Sequence, residues 1–126
     1  MFDKLRAVTA IAGLMKDKDR LREAGVRLKA KATALRAPGE SGSGAVRVVA
    51  DGKFRLVSVE IAPALLAGMA DDERTRALGG SLIVEAATAA LALAQDHMQA
   101  ELRREASALG LDDLPIDLSD LGGLLS

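Results

Sequence analysis

From residue 2 to residue 36 an apolar position recurs every seven residues, at Leu14, Leu21, Leu28 and Leu35. Ile11, Lys18, Gly25 and Ala32 stand three positions ahead of each. No proline interrupts the segment, so the spacing predicts one long helix with an approximate heptad seam, weakened at Lys18 and Gly25. Gly25 costs such a helix ~1 kcal/mol relative to Ala and suggests a bend or a close contact. A helix of that length would extend roughly 50 Å, so part of it should project from a small domain or pair with another chain.

Pro38-Gly39 stops this helix. Glu40-Ser41-Gly42-Ser43-Gly44 then reads as a flexible hinge, followed by a period-two stretch over residues 45–50. Asp51-Gly52 signals a tight turn with both central residues at positive φ. A second strand is expected over residues 53–61, with Val57, Val59 and Ile61 on one face and Phe54, Leu56 and Ser58 on the other. Both faces are largely apolar, so this strand should be covered on more than one side. Pro63 ends it. Asp71-Asp72-Glu73 suits the positive end of a second helix running to about Leu109, with Gly110 closing it. Apolar residues cover most of that helix, leaving a narrow polar stripe at Ser81, Glu85, Thr88, Gln95 and Gln99, which predicts burial. The fold class is α+β: a long first helix, an antiparallel hairpin of two to three strands, and a long second helix. Residues 1–109 form one domain, and residues 110–126 an acidic, Leu/Gly-rich extension, flexible or loosely docked.

Composition changes the picture in one respect. Of 126 residues 49% are hydrophobic, yet there are two Phe and neither Tyr nor Trp. At ~25 cal/mol per Å² an alanine-rich core is thin for a lone monomer, and a second copy is expected. The chain has no cysteine, so it holds no disulfide, thiol nucleophile or thiolate metal site. Charges at Asp3, Lys4 and Arg6 break any secretion signal, and the most apolar window, residues 82–94, is short for a membrane span of about 20 residues. A cytoplasmic protein with no membrane partner is expected.

Charge is unevenly spread. Residues 1–36 hold ten bases against four acids, and residues 67–126 four bases against eleven acids. The basic helix is the candidate surface: Lys16, Lys18, Arg20, Arg22, Arg27, Lys29, Lys31 and Arg36. Phosphate neutralisation needs cations along an exposed ridge and no fixed motif, which makes double-stranded DNA the expected partner. A solvated helix surface is about as well favoured by the pattern. A third reading, from another class, is an adaptor dimer that recruits a protein through its helices. Without aromatic platforms a single-strand specialist is disfavoured.

No catalytic constellation emerges. The Gly/Ser segment lacks the Gly-Lys-Ser/Thr ending of a phosphate loop and precedes a strand. His97 and Glu101 lie one turn apart, but a third metal ligand cannot be named, and such a histidine is expected to be packed or bonded in the core. Glu85 and Asp96 have no matching carboxylate for acid/base work, and the acids at 112, 113, 117 and 120 read as solubilising. Neither an enzyme, a cofactor, a metal nor a small-molecule substrate is expected.

Two stretches carry a resemblance. Gly39-Glu40-Ser41-Gly42-Ser43-Gly44-Ala45-Val46-Arg47-Val48 and Val59-Glu60-Ile61-Ala62-Pro63-Ala64-Leu65-Leu66 resemble the YbaB/EbfC family of nucleoid-associated proteins. The likeness extends over nearly the whole chain, including the Met-Phe start and the Gly/Leu-rich tail. It implies an α–β–β–α protomer that dimerises through its sheet and second helix, with protruding helices and modest DNA sequence preference. On that basis Val57, Val59, Ile61, Leu82, Ala86 and Leu93 are the expected dimer contacts, and the nucleoid the expected location. Ala62 departs from the family pattern, which usually has an acid before the proline, and should affect only local capping.

Overall fold

A computed structural model describes residues 18–110. The start of the expected first helix, with Lys16, and the acidic extension after Gly110 lie outside the described residues. Within them the fold is α+β: α1 (Lys18–Ala34), β1 (Ala37–Glu40), β2 (Val46–Ala50), β3 (Leu56–Ile61), α2 (Pro63–Asp71) and α3 (Glu73–Ala108). The three strands form an antiparallel sheet in the order β1-β2-β3.

Helix α1 ends at Ala34, before the expected Arg36, because the residue preceding a proline is driven to extended backbone. Ala37 and Pro38 therefore open a strand. The supposed hinge is an ordered hairpin: Ala37, Pro38, Gly39 and Glu40 pair with Ala50, Val49, Val48 and Arg47. Its loop is tied by Ser41, whose amide donates to the Val46 carbonyl and whose carbonyl accepts from the Gly44 amide. The Val46 amide donates to the Ser41 hydroxyl at 3.2 Å. From α3, the Glu85 carboxylate accepts from the Gly42 amide at 2.7 Å.

Asp51-Gly52 does turn the chain, but for other reasons than positive φ, which falls instead on Phe54 (64°). The Asp51 carboxylate accepts from the Lys53 and Arg55 amides, at 2.9 and 3.1 Å, and from the Arg55 guanidinium. Gly52 is needed for closeness. Its amide donates to the Ala32 carbonyl at 2.8 Å, and a Cβ there would stand 2.6 Å from the Ala32 Cα. The turn is thus pinned to α1.

Helix α2 follows β3 directly, with Pro63 in its first turn, where a missing amide costs nothing. The sequence patterning overlooked this helix. Its N-cap, Ala62, makes no side-chain capping bond, in keeping with the departure noted above. Asp72 separates α2 from α3 and caps the latter by accepting from the Arg74 and Thr75 amides.

The core is a seam of small residues. Ala86, Ala90 and Ala94 lie four apart on α3 and are wholly buried against Ala37, Val46, Val48 and Ala50. At Gly39 the strand and helix touch backbone to backbone, since a Cβ would collide with the α3 main chain at Ala86 and Ala90. A second cluster, Leu28, Ala32, Met98 and Leu102, joins α1 to α3. Gly25, by contrast, has open space around it. By length and composition α3 contains an 18-residue stretch apolar enough to cross a membrane, longer than the window at 82–94. In this fold one of its sides is already taken by the sheet.

Strand β3 is different. Leu56, Val57 and Val59 are 46–48% exposed, and the strand's outer edge has no neighbour among the described residues. The expected cover on both faces is not supplied by the protomer itself.

Candidate nucleic-acid interface

Helical periodicity divides α1 into two sides. Ala24, Leu28 and Ala32 are buried and define the inner side. Three of the basic residues border it and reach across to α3, which runs antiparallel. The Arg27 guanidinium grips the Glu105 carboxylate with two hydrogen bonds, Nε to Oε1 at 3.0 Å and Nη2 to Oε2 at 2.9 Å. Lys31 Nζ meets Glu101 Oε2 at 2.7 Å and lies 4.0 Å from Glu105 Oε1. Arg20 donates to the Ala108 carbonyl at 3.0 Å.

These contacts leave an electrostatic signature. The hydrogen bond from Arg27 holds the Glu105 carboxyl below its ordinary range, outweighing burial, with the charges of Arg27 and Lys31 adding to it. The hydrogen bond from Lys31 does the same for Glu101, helped by the charges of Lys31 and Arg104. Reciprocally, the Glu105 bond raises the pKa of Arg27. The cationic charge of Arg27 and Lys31 is therefore largely answered within the protomer.

The outer side carries Lys18, Arg22, Val26, Lys29 and Thr33, all exposed. Lys18, Arg22 and Lys29 have no hydrogen-bond or ion-pair partner among the described residues. Asp19 and Glu23 share this side near its start, whereas residues 24–36 contain no acid at all. Arg36 lies past the helix end and donates to the Thr33 and Leu35 carbonyls, at 2.9 and 2.8 Å, capping the terminus while keeping its charge. Of the eight expected phosphate contacts, the structure leaves Lys18, Arg22 and Lys29 outward and unpaired and turns Arg20, Arg27 and Lys31 toward α3. Lys16 lies outside the described residues.

The sequence points to Glu101 only beside His97 and does not single out Glu105; neither was expected as a partner of the basic helix. Their signal was an acidic pair four apart on one helix, matching the basic pair four apart at Arg27 and Lys31 on another. Glu85, read as part of a polar stripe, is the staple of the hairpin loop. His97 is exposed, not packed in the core as expected. Among the described residues no three His, Cys, Asp or Glu side chains gather into a metal-binding group.

The expected dimer contacts also divide. Val57 and Val59 are exposed and Ile61 is half-buried. Leu82 and Leu93 are half-buried against the protomer's own core cluster. Ala86 is wholly buried within the protomer at the Gly39 contact, because a four-residue spacing aligns it with Ala90 and Ala94 on the sheet side.

The architecture is an antiparallel sheet packed on a long helix, with a cationic helix beside it. Residues 8–109 match the model of the YbaB/EbfC DNA-binding family, and the chain belongs to that family. It is a family of nucleoid-associated DNA-binding proteins and not of enzymes. A search of curated proteins returned no match.

Proposed function

We propose that this chain acts in the nucleoid of the cytoplasm as a homodimer that grips duplex DNA through its phosphates, with little sequence preference. The contacts come from the outer side of α1: Lys18, Arg22 and Lys29, with Lys16 before them and Arg36 beyond. The observation that carries the reading is the division of α1's cations, one set answered by α3 and the other left facing solvent. Unpaired cations along a ridge lower the free energy of a polyanion by releasing its counterions, and base identity plays no part in that term.

Dimerisation supports the same reading. An open strand edge with exposed Leu56, Val57 and Val59 is a template for pairing, and a second copy would place two basic ridges on one assembly. Lys18, Arg22 and Lys29 alone, engaged in both protomers, would meet about six phosphates and give a salt slope near −5, at about −0.9 per phosphate.

Fluorescence anisotropy of a labelled plain duplex at several salt concentrations tests this. Charge reversal at Arg22 and Lys29 together should abolish binding while sedimentation still reports a dimer. Binding that ignores both salt and the reversal overturns the proposal. A second reading, an adaptor that recruits a protein, draws on Val26, which stands 64% exposed amid the basic ridge.

A further inference from the structure

On the outer side of α1, Val26, Lys29, Ala30, Thr33 and Ala34 line a shallow, mainly apolar depression of about 480 Å³. An exposed valine beside two alanines is an unusual floor for a surface meant only to meet phosphates. Cations outnumber acids around it: Lys29 at its rim, Arg22 one turn before Val26 and Arg36 just past its far end, against Glu23 three positions before Val26. Acids are absent from residues 24–36. The depression therefore suits a ligand that is apolar and anionic together.

The chain itself carries such a segment. Residues 111–126 contain six leucines and one isoleucine, four aspartates and no base. Leu114, Leu118 and Leu121 interleave with Asp113, Asp117 and Asp120. Where this segment leaves the fold also fits. Helix α3 ends at Ala108, whose carbonyl is bonded to Arg20 at the start of α1. From there the depression lies roughly 10–20 Å along α1, at 1.5 Å per residue. Sixteen residues span up to about 50 Å when extended. Distance is no obstacle.

We infer that residues 111–126 dock onto the outer side of α1 of their own chain, seating leucines on Val26, Ala30 and Ala34 and aspartates against Arg22 and Lys29. The occupied side is the one proposed above for DNA, so the segment competes with the duplex. This second step rests on the proposed function; the docking does not. A segment docked about nine-tenths of the time would weaken apparent DNA affinity about tenfold, because only the undocked fraction is competent.

The absence of native cysteine permits a clean test in the full chain. A nitroxide on Ser119→Cys should broaden the amide resonances of Val26, Ala30 and Thr33 and spare those of Arg47 and Ser58 on the sheet. Val26→Asp should remove that broadening, and so should replacing the four aspartates after Gly110 by asparagine. Uniformly sharp α1 resonances, or broadening seen only between separately labelled copies, overturn the docking. Titration with plain duplex then separates the two ideas. Broadening that disappears as DNA binds supports the competition. Broadening that persists while no DNA binds sustains the docking and defeats the DNA reading, and broadening that persists with DNA bound overturns the competition. The four-asparagine variant should bind duplex about tenfold more tightly than the parent chain, and equal affinity also counts against the competition.

Discussion

Arg27 and Glu105, 78 positions apart in sequence, clasp each other through two parallel hydrogen bonds that join α1 to α3. The arrangement sets a guanidinium fork against a carboxylate of matching width, with the acid buried and the base half-exposed. It ties down the helix that carries the proposed DNA ridge and removes one cation from it. Glu105→Gln would keep the shape and withdraw the charge. Thermal melting should then fall, and Arg27 becomes free to reach phosphates while Lys31 keeps its bond to Glu101. The DNA salt slope should steepen by as much as about 1 per protomer, at about 0.9 per added contact. An unchanged slope would mean that Arg27 stays turned away from DNA.

Acid should loosen the same junction. Glu101 and Glu105 are held below their ordinary pKa by bonds from Lys31 and Arg27. Asp51 is too: burial works the other way, but the Arg55 and Lys53 amides and the Arg55 charge outweigh it. A depressed folded-state pKa gives stability that is present above the unfolded-state value, about 4 for these acids, and lost as pH falls through the folded value. Stability at neutral pH should therefore persist down to about pH 4 and decline below it. Denaturant midpoints measured from pH 6 to pH 2 check this. A midpoint flat across that range would contradict it.

Much of the architecture was legible because its signals are local. Proline, the Asp51-Gly52 pair and the acids at 71–73 mark ends and turns through backbone chemistry acting over a few residues. What eluded the pattern was determined at a distance. Residues 39–44 look like a flexible linker until Glu85, more than forty residues on, bonds to Gly42 and fixes the loop. Gly52 looks like a φ requirement until Ala32 is found against it. The basic helix was plain, but which of its cations stay available depended on Glu101 and Glu105, whose alignment with Arg27 and Lys31 follows from helix packing. Ala86 shows the same limit, since a surface alanine and a seam alanine read alike in sequence.

The two kinds of glycine should respond oppositely to a single methyl group. Gly39→Ala drives a Cβ into the α3 backbone, where no side chain can move aside. It should cost at least about 1–3 kcal/mol, the usual scale of overpacking. Gly25→Ala adds a methyl to an open helical position and should stabilise by about 0.4–1 kcal/mol. Denaturation of the two variants in parallel measures both. Equal effects would contradict the close contact at Gly39.

Charging the open strand should separate the proposed dimer. Lysines in place of Val57 and Val59 put like charges on an edge meant to pair, without touching the protomer's core. Sedimentation should report monomers, with far-ultraviolet circular dichroism little changed. A dimer that survives both lysines must be held elsewhere.

The contact between α3 and β1 centres on main chain and methyl groups, at Ala37, Gly39, Ala86 and Ala90, which have no long side chains to swing into new positions. Such a joint behaves as a weld: it can hold or separate, but it has no range of intermediate adjustment. Any articulation between the basic arm and the body must then arise where longer side chains meet, among Arg27, Lys31 and their acidic partners. Those pairs, and not the alanine seam, are where a change of charge can alter the joint.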